Sequence, residues 1–193
     1  MISAIILAAG ESKRMGQPKM LMSWGEVTVL EHVVTMFRNA GIEDIVVVVG
    51  AEREQIEKIV SQYPIRCVHN EDYANSEMLS SLQCGLKALT LETQATLIGL
   101  GDQPQAQEGS VRLICEAYHN TRSELIVPSF QMRRGHPWLA GRTFWGELLN
   151  MKAPESSRDF LNRHTDRIHY VDAKTATILA DLDTPDDYYS SHS

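Results

Sequence analysis

Five short apolar runs punctuate the chain: Ala4 to Leu7, Ile45 to Val49, Ile65 to Val68, Leu97 to Leu100 and Leu125 to Val127. Between them apolar residues recur at spacings of three and four, the period of a helix with one buried face. Strand-like runs alternating with helical segments predict a largely parallel sheet covered by helices. Val46-Val47-Val48-Val49 is the strongest run. Four β-branched residues in a row suit a strand buried on both faces, which places it near the sheet centre.

Leu30, Val33, Val34 and Phe37 share one helical face, with Thr28 and Glu31 at capping-box spacing before them and Gly41 as the C′ residue after them. Ile56, Ile59, Val60 and Tyr63 predict a second helix, Leu79, Leu82, Leu86 and Leu89 a third, and Val111, Ile114, Cys115 and Tyr118 a fourth. Beyond residue 128 the pattern loosens into an Arg-, Gly- and Pro-rich segment from Phe130 to Trp138. Thr143 to Leu149 and Ser156 to His164 then read as short helices, and Arg167 to Val171 as a strand. Neither a repeat nor a linker composition interrupts residues 1–193, so a single domain is expected.

Length agrees with that: 193 residues, 43% of them hydrophobic, fill one core and are too few for two ordinary domains. A net charge of −7 argues against a nucleic-acid surface, which needs a basic face. No run approaches the ~20 apolar residues of a membrane span, and the N-terminus lacks a signal-peptide pattern, so a cytoplasmic location is expected. Cys67, Cys84 and Cys115 have no Cys-x-x-Cys spacing and read as reduced thiols rather than a disulfide framework or zinc site.

Charge is distributed unevenly. Lys13, Arg14 and Lys19 put three of the chain's eighteen cations into seven residues, directly after the first apolar run. The loop they occupy, Gly10-Glu11-Ser12-Lys13-Arg14-Met15-Gly16-Gln17-Pro18-Lys19, has glycines that leave backbone N–H groups uncovered and fixed positive charge beside them. A small polyphosphate needs that combination. A surface turn with solvated cations is the plainer alternative. The glycines match neither a dinucleotide fingerprint nor a Walker A loop. In this loop Ser12 can donate a hydroxyl, while Arg14 and Lys19 can offset charge moving onto a leaving pyrophosphate.

In open parallel sheets ligands bind beyond the carboxyl ends of the strands, where the first loop, Asn70 and Asp102 all fall. Asp102, between an apolar run and Gln103-Pro104, reads equally as a turn residue or as a magnesium ligand. Asp183-Thr184-Pro185-Asp186-Asp187 reads as a helix start, with Asp181 pointing the same way as Asp183 if that stretch is extended. Arg133-Arg134-Gly135-His136-Pro137-Trp138 suits a flat, phosphorylated heterocycle or, more plainly, a structural loop.

These segments carry a resemblance. Leu7-Ala8-Ala9-Gly10 followed by Ser12, Arg14, Met15, Gly16, Pro18 and Lys19, then Gly101-Asp102-Gln103-Pro104, Gly135-His136-Pro137 and Asp181-Leu182-Asp183-Thr184-Pro185, together resemble the molybdenum cofactor cytidylyltransferases of the nucleotidyltransferase superfamily. The resemblance implies a Rossmann-like, GT-A-like α/β fold that moves CMP from CTP onto the phosphate of a molybdopterin-type acceptor. It implies Arg14 and Lys19 as catalytic residues, and a nucleotide site of Leu7, Ala8, Ala9, Gly10, Ser12, Arg14, Gly16, Lys19, Asn70 and Ser81. It further implies Mg2+ on Asp102 and Asp183, an acceptor site at Arg134, His136 and Arg158, and a molybdoenzyme client.

Ala9 stands where guanosine-using relatives carry glycine, and its methyl group narrows the slot toward a pyrimidine. Two segments depart from the family pattern. Glu77-Met78 replaces Gly-Met, and Ala153-Pro154-Glu155-Ser156-Ser157-Arg158 keeps an arginine without the usual glycines. A nucleotidyltransferase for another phosphorylated metabolite or sugar phosphate, and a non-catalytic molybdopterin carrier, are the competing expectations.

Overall fold

The structure, a computed structural model, describes residues 1–74 and 78–191. In chain order its main elements are β1 (Ile2–Ala8), a small hairpin of β2 (Ser23–Trp24) and β3 (Val27–Thr28), α1 (Val29–Asn39), β4 (Asp44–Val49), α2 (Arg53–Val60) and β5 (Arg66–His69). There follow α3 (Met78–Lys87), β6 (Ala95–Leu100), α4 (Glu108–Thr121), β7 (Leu125–Phe130), β8 (Arg133–Arg134) and β9 (Trp138–Gly141). The chain ends with α5 (Trp145–Asn150), α6 (Ser157–Arg163), β10 (His169–Asp172) and α7 (Pro185–Ser191).

The main sheet runs β10-β7-β9-β6-β1-β4-β5, with β8 paired to β7. Strands β6, β1, β4 and β5 are parallel neighbours, and β10 is parallel to β7. β9 lies antiparallel between β6 and β7. All five predicted apolar runs form strands of this sheet. β9 and the β2–β3 hairpin were not predicted, because elements of two to four residues are too short to display a period.

Alternate residues of β1 and β4 enter opposite cores. Ala4, Ile6, Val47 and Val49 pack with α1, α2 and α4 on one face, whereas Ile5, Leu7, Val46 and Val48 pack with α3, α5 and α6 on the other. The valine run is therefore covered on both faces, but β4 is one strand from the sheet edge rather than central. Its composition reports helix coverage and not distance from the edge.

The first predicted helix forms with its cap. Thr28 Oγ1 accepts from the Glu31 amide, and the Glu31 carboxylate accepts from the Thr28 amide at 2.8 Å. Gly41 follows at φ +97°. Tyr63 and Leu89, expected on helix faces, lie past the ends of α2 and α3. None of the described helices is long and apolar enough to cross a membrane.

Candidate active site

β1 is paired on one side with β4 and on the other with β6, so the connections leaving β1 and β5 diverge across the sheet. Such a topological switch point opens a crevice at the strands' carboxyl ends. A pocket of about 190 Å3 fills it. Leu7 lines it from β1 with Ala9 and Gly10 just beyond, Leu100 from β6 with Asp102 just beyond, Met78 and Ser81 from α3, and Lys19, Met20 and Tyr73 from other connecting segments.

The loop after β1 holds its shape through its own bonds. Ser12, at φ +51°, gives its carbonyl to the amides of Met15 (3.0 Å) and Gly16 (3.2 Å), and its hydroxyl accepts from the Lys19 amide at 3.1 Å. Gly16 adopts φ +72°, a conformation open to glycine and costly for other residues. Met15 anchors the loop from below by packing with Val29 and Leu182. The Ser12 side chain thus braces the turn that presents Lys19.

Lys19 is 12% exposed in its side chain; its ammonium pairs with Asp102 and lies 3.5 Å from Asp183 Oδ1. Arg14, 71% exposed, reaches the same Asp183 oxygen at 2.9 Å. The two carboxylates named as metal ligands therefore converge on one cation. Among the described residues no group of three or more His, Cys, Asp or Glu side chains gathers at one point.

The segment carrying Asp183 is tied to the one carrying Asp102 by two bonds. The Leu182 amide donates to the Asp102 carbonyl at 3.1 Å, and Gln103 Nε2 donates to Asp181 Oδ1 at 2.6 Å. Asp181, expected to share the direction of Asp183, instead faces Gln103 and acts as a strut. Protein crowding around Asp181 pushes its carboxyl above the usual range, opposed by the Gln103 bond and aided by Asp102 and Asp183, although one face stays open to solvent. Gln103 was not among the expected site residues, since a pair 78 positions apart leaves no local signal.

Asn70 does not line the pocket. It is 6% exposed, donates to the hydroxyls of Ser80 (2.8 Å) and Ser81 (3.0 Å), and accepts from the Asp72 amide at 3.1 Å. Its side-chain N–H groups hold the start of α3, and through it Ser81, which does face the pocket. Tyr73, unforeseen from the sequence, fills part of the wall beside Ala9.

A second cavity, a groove of about 830 Å3, lies among β7, β8, β9, α6 and β10. His136, Arg134 and Arg158 all line it, with Arg133 and no acidic residue. Arg134 is committed to the protein, donating to Tyr170 Oη (2.9 Å), Asn162 Oδ1 (2.8 Å) and Thr165 Oγ1 (3.2 Å). Its guanidinium also sits 5.7 Å from the Tyr170 ring centroid. Arg133 and Arg158 make no ion pair or side-chain hydrogen bond among the described residues. They are the groove's uncommitted cations, and Arg133 joins the expected Arg134 in its lining. His136 keeps part of its surface on the groove, yet burial of the ring lowers its pKa to about 4, so it is neutral at pH 7. Glu77, the residue of the family departure beside Met78, lies outside the described residues.

Comparison with known proteins places the chain in a family. The molybdenum cofactor cytidylyltransferase of Escherichia coli (strain K12) is 29% identical over 98% of this chain and 95% of its own. The nicotine blue oxidoreductase of Paenarthrobacter nicotinovorans is 26% identical over 97% and 95%. A solved nucleotidyl transferase from Methanothermobacter thermautotroptrophicus superposes with a TM-score of 0.84 at 25% identity, covering 100% of this chain and 96% of that one. The profile of the MobA-like NTP transferase domain matches residues 4–168. A nucleotidyltransferase fold, a polyphosphate-type loop beside paired carboxylates and that match lead to one conclusion: the chain belongs to the MobA-like NTP transferase domain family and is an NTP-transferring enzyme.

Proposed function

We propose that the chain, acting as one domain over residues 1–193 in the cytoplasm, transfers CMP from CTP to the phosphate of a molybdopterin-type acceptor, releasing pyrophosphate and supplying a molybdoenzyme client. The observation that carries this reading is the pairing of two unlike cavities. One is lined by Lys19 and Asp102, with Asp183 reaching the same lysine, beside an exposed-backbone loop; the other is purely cationic and rimmed by aromatic rings. A nucleotide and a separate phosphorylated heterocycle fit that division.

Leu7, Ala8, Ala9, Gly10, Ser12, Gly16 and Ser81 form or support the nucleotide pocket, and Asn70 holds Ser81 in place. Asp102 and Asp183 suit Mg2+, because their oxygens already meet at one cation and magnesium takes one or two carboxylates plus phosphate oxygens and water. When bound there, magnesium supplies neutralisation of triphosphate charge. With the carboxylates so engaged, Lys19 and Arg14 would be free to face the phosphates. Arg14 is poised to do so, since an exposed ion pair is worth only ~0–1 kcal/mol. Both cations stabilise charge that develops on the leaving pyrophosphate. The attacking group is the acceptor's own phosphate oxygen, so no protein nucleophile is needed. Arg133, Arg134 and Arg158 orient the acceptor, and neutral His136 offers it a hydrogen bond.

Purified protein given CTP or GTP with Mg2+, with and without molybdopterin, tests the proposal through pyrophosphate release. Release that needs CTP and molybdopterin together is expected. No release with that pair, or equal release with any phosphate monoester, overturns it. The base preference has its own check: Ala9→Gly shifts the kcat/KM ratio toward GTP, and an unmoved ratio refutes the role of the Ala9 methyl.

A further inference from the structure

Among the described residues a side-chain contact links the two cavities. Met78, the first residue of α3, lines the nucleotide pocket, and the Ser157 hydroxyl, at the first position of α6, meets its thioether at 3.9 Å. Ser157 in turn lines the cationic groove beside the uncommitted Arg158. Met78 is 42% exposed, so its thioether is open to solvent at the point where the two cavities meet.

The same helix fixes the distance between the cavities. Gln83, on α3, donates to the carbonyls of Leu148 (2.8 Å) and Met151 (3.0 Å) at the end of α5, from which the chain runs directly into α6. Asn70 holds the start of α3 from the nucleotide side. α3 is therefore a shared wall, pinned to both halves, with Met78 at its open end.

Resting on the two-cavity reading above, we infer that the Met78–Ser157 seam is where the acceptor's phosphate reaches the nucleotide, and that Met78 determines whether acceptor or water attacks. In transfer, an acceptor phosphate oxygen forms a bond to the α-phosphorus while the bridging bond to the β-phosphate breaks, its electron pair leaving with pyrophosphate. In hydrolysis water makes the same attack, loses a proton to solvent, and yields CMP. The thioether is apolar, flexible and large enough to cover the seam until an acceptor displaces it. Excluding water from a reacting phosphate is a recognised function of such a cover.

The test measures two products from CTP, the acceptor adduct and free CMP, for the wild type, Met78→Ala and Met78→Leu. Met78→Ala opens the seam and should raise the ratio of CMP to adduct roughly tenfold or more, since loose positioning of a reacting pair costs up to about a hundredfold in rate. Met78→Leu, apolar and of similar volume, should restore the wild-type ratio. A merely structural role would lower both products together. An unchanged ratio in Met78→Ala overturns the inference while leaving cytidylyl transfer standing. Failure of the wild type to form adduct with any phosphorylated acceptor overturns the two-cavity reading instead.

Discussion

The two cavities hold their charges in opposite ways. In the nucleotide pocket every formal charge is already answered: Lys19 by Asp102 and Asp183, and Arg14 by Asp183. In the groove Arg133 and Arg158 face solvent and make no ion pair among the described residues, Arg158 feeling only the neighbouring Asp159, whereas Arg134 is bound into the protein. A site that neutralises itself stays folded and compact when empty, and admits only a ligand able to exchange partners with both its cation and its carboxylates. A metal-bound triphosphate can do that. The open cationic groove instead attracts any anion of suitable shape, so its selectivity must come from the rings and hydrogen-bond groups around the arginines.

Lys19→Ala attacks the contrast most directly. Lys19 and Asp102 are both largely shielded, with side chains 12% and 14% exposed, so removal of the lysine leaves a carboxylate without its partner. Breaking a buried pair in this way costs roughly 3–5 kcal/mol. The melting temperature should fall and Mg2+ should restore part of it by occupying the vacated position. Turnover should drop by about two to three orders of magnitude, as for loss of a preorganised charge-stabilising donor. A variant that melts and turns over like the wild type, measured by calorimetry and pyrophosphate release, would show that the pocket does not depend on internal neutralisation.

The arginines sharpen the comparison from the other side. Arg133→Ala and Arg158→Ala remove cations that hold nothing in the free protein, so thermal stability should stay the same. A charge-assisted hydrogen bond to a phosphate is worth about 1.5–3 kcal/mol, so each change should raise the KM for acceptor roughly ten- to a hundredfold. Arg134→Ala should behave differently. It cuts the links from β8 to α6 and β10, and should lower the melting temperature as well as weaken the acceptor. If all three variants melt alike, the division between committed and uncommitted arginines is wrong.

This contrast also explains what the amino-acid sequence disclosed. The nucleotide side is built from parallel β-strands and their immediate loops, so Gly10, Ser12, Lys19 and Asp102 sit close to elements whose periodicity is visible. The five runs of the main sheet, the Thr28 cap and the helix faces were legible for that reason. The groove side is assembled from short pieces far apart in the chain: the two-residue β8, the four-residue β9 and the seven-residue α6. No local pattern there separates Arg133 from Arg134. The difference arises from Asn162, Thr165 and Tyr170, which arrive from about thirty positions away. The Gln103–Asp181 strut is hidden for the same reason, and the Ser80 and Ser81 partners of the Asn70 amide cannot be read from its position at a strand end.

His136 gives the smallest effect and the finest test. Burial takes its pKa from the ordinary 6.5 down to about 4, so the folded protein keeps the ring neutral where the unfolded chain would protonate it. Between pH 6.5 and about 4 the unfolded state binds the extra proton, and stability must fall as pH falls through that window. Above 6.5 both states are neutral and the contribution is fully present. His136→Gln, which keeps a hydrogen-bonding side chain without an ionisable ring, should flatten this part of the stability profile in denaturant titrations at pH 7, 6, 5 and 4. The same profile in wild type and variant would mean that the ring is not held neutral. A groove that kept its histidine charged would then have three arginines and an imidazolium confronting the acceptor, and acceptor binding would strengthen below pH 6.5 instead of staying level.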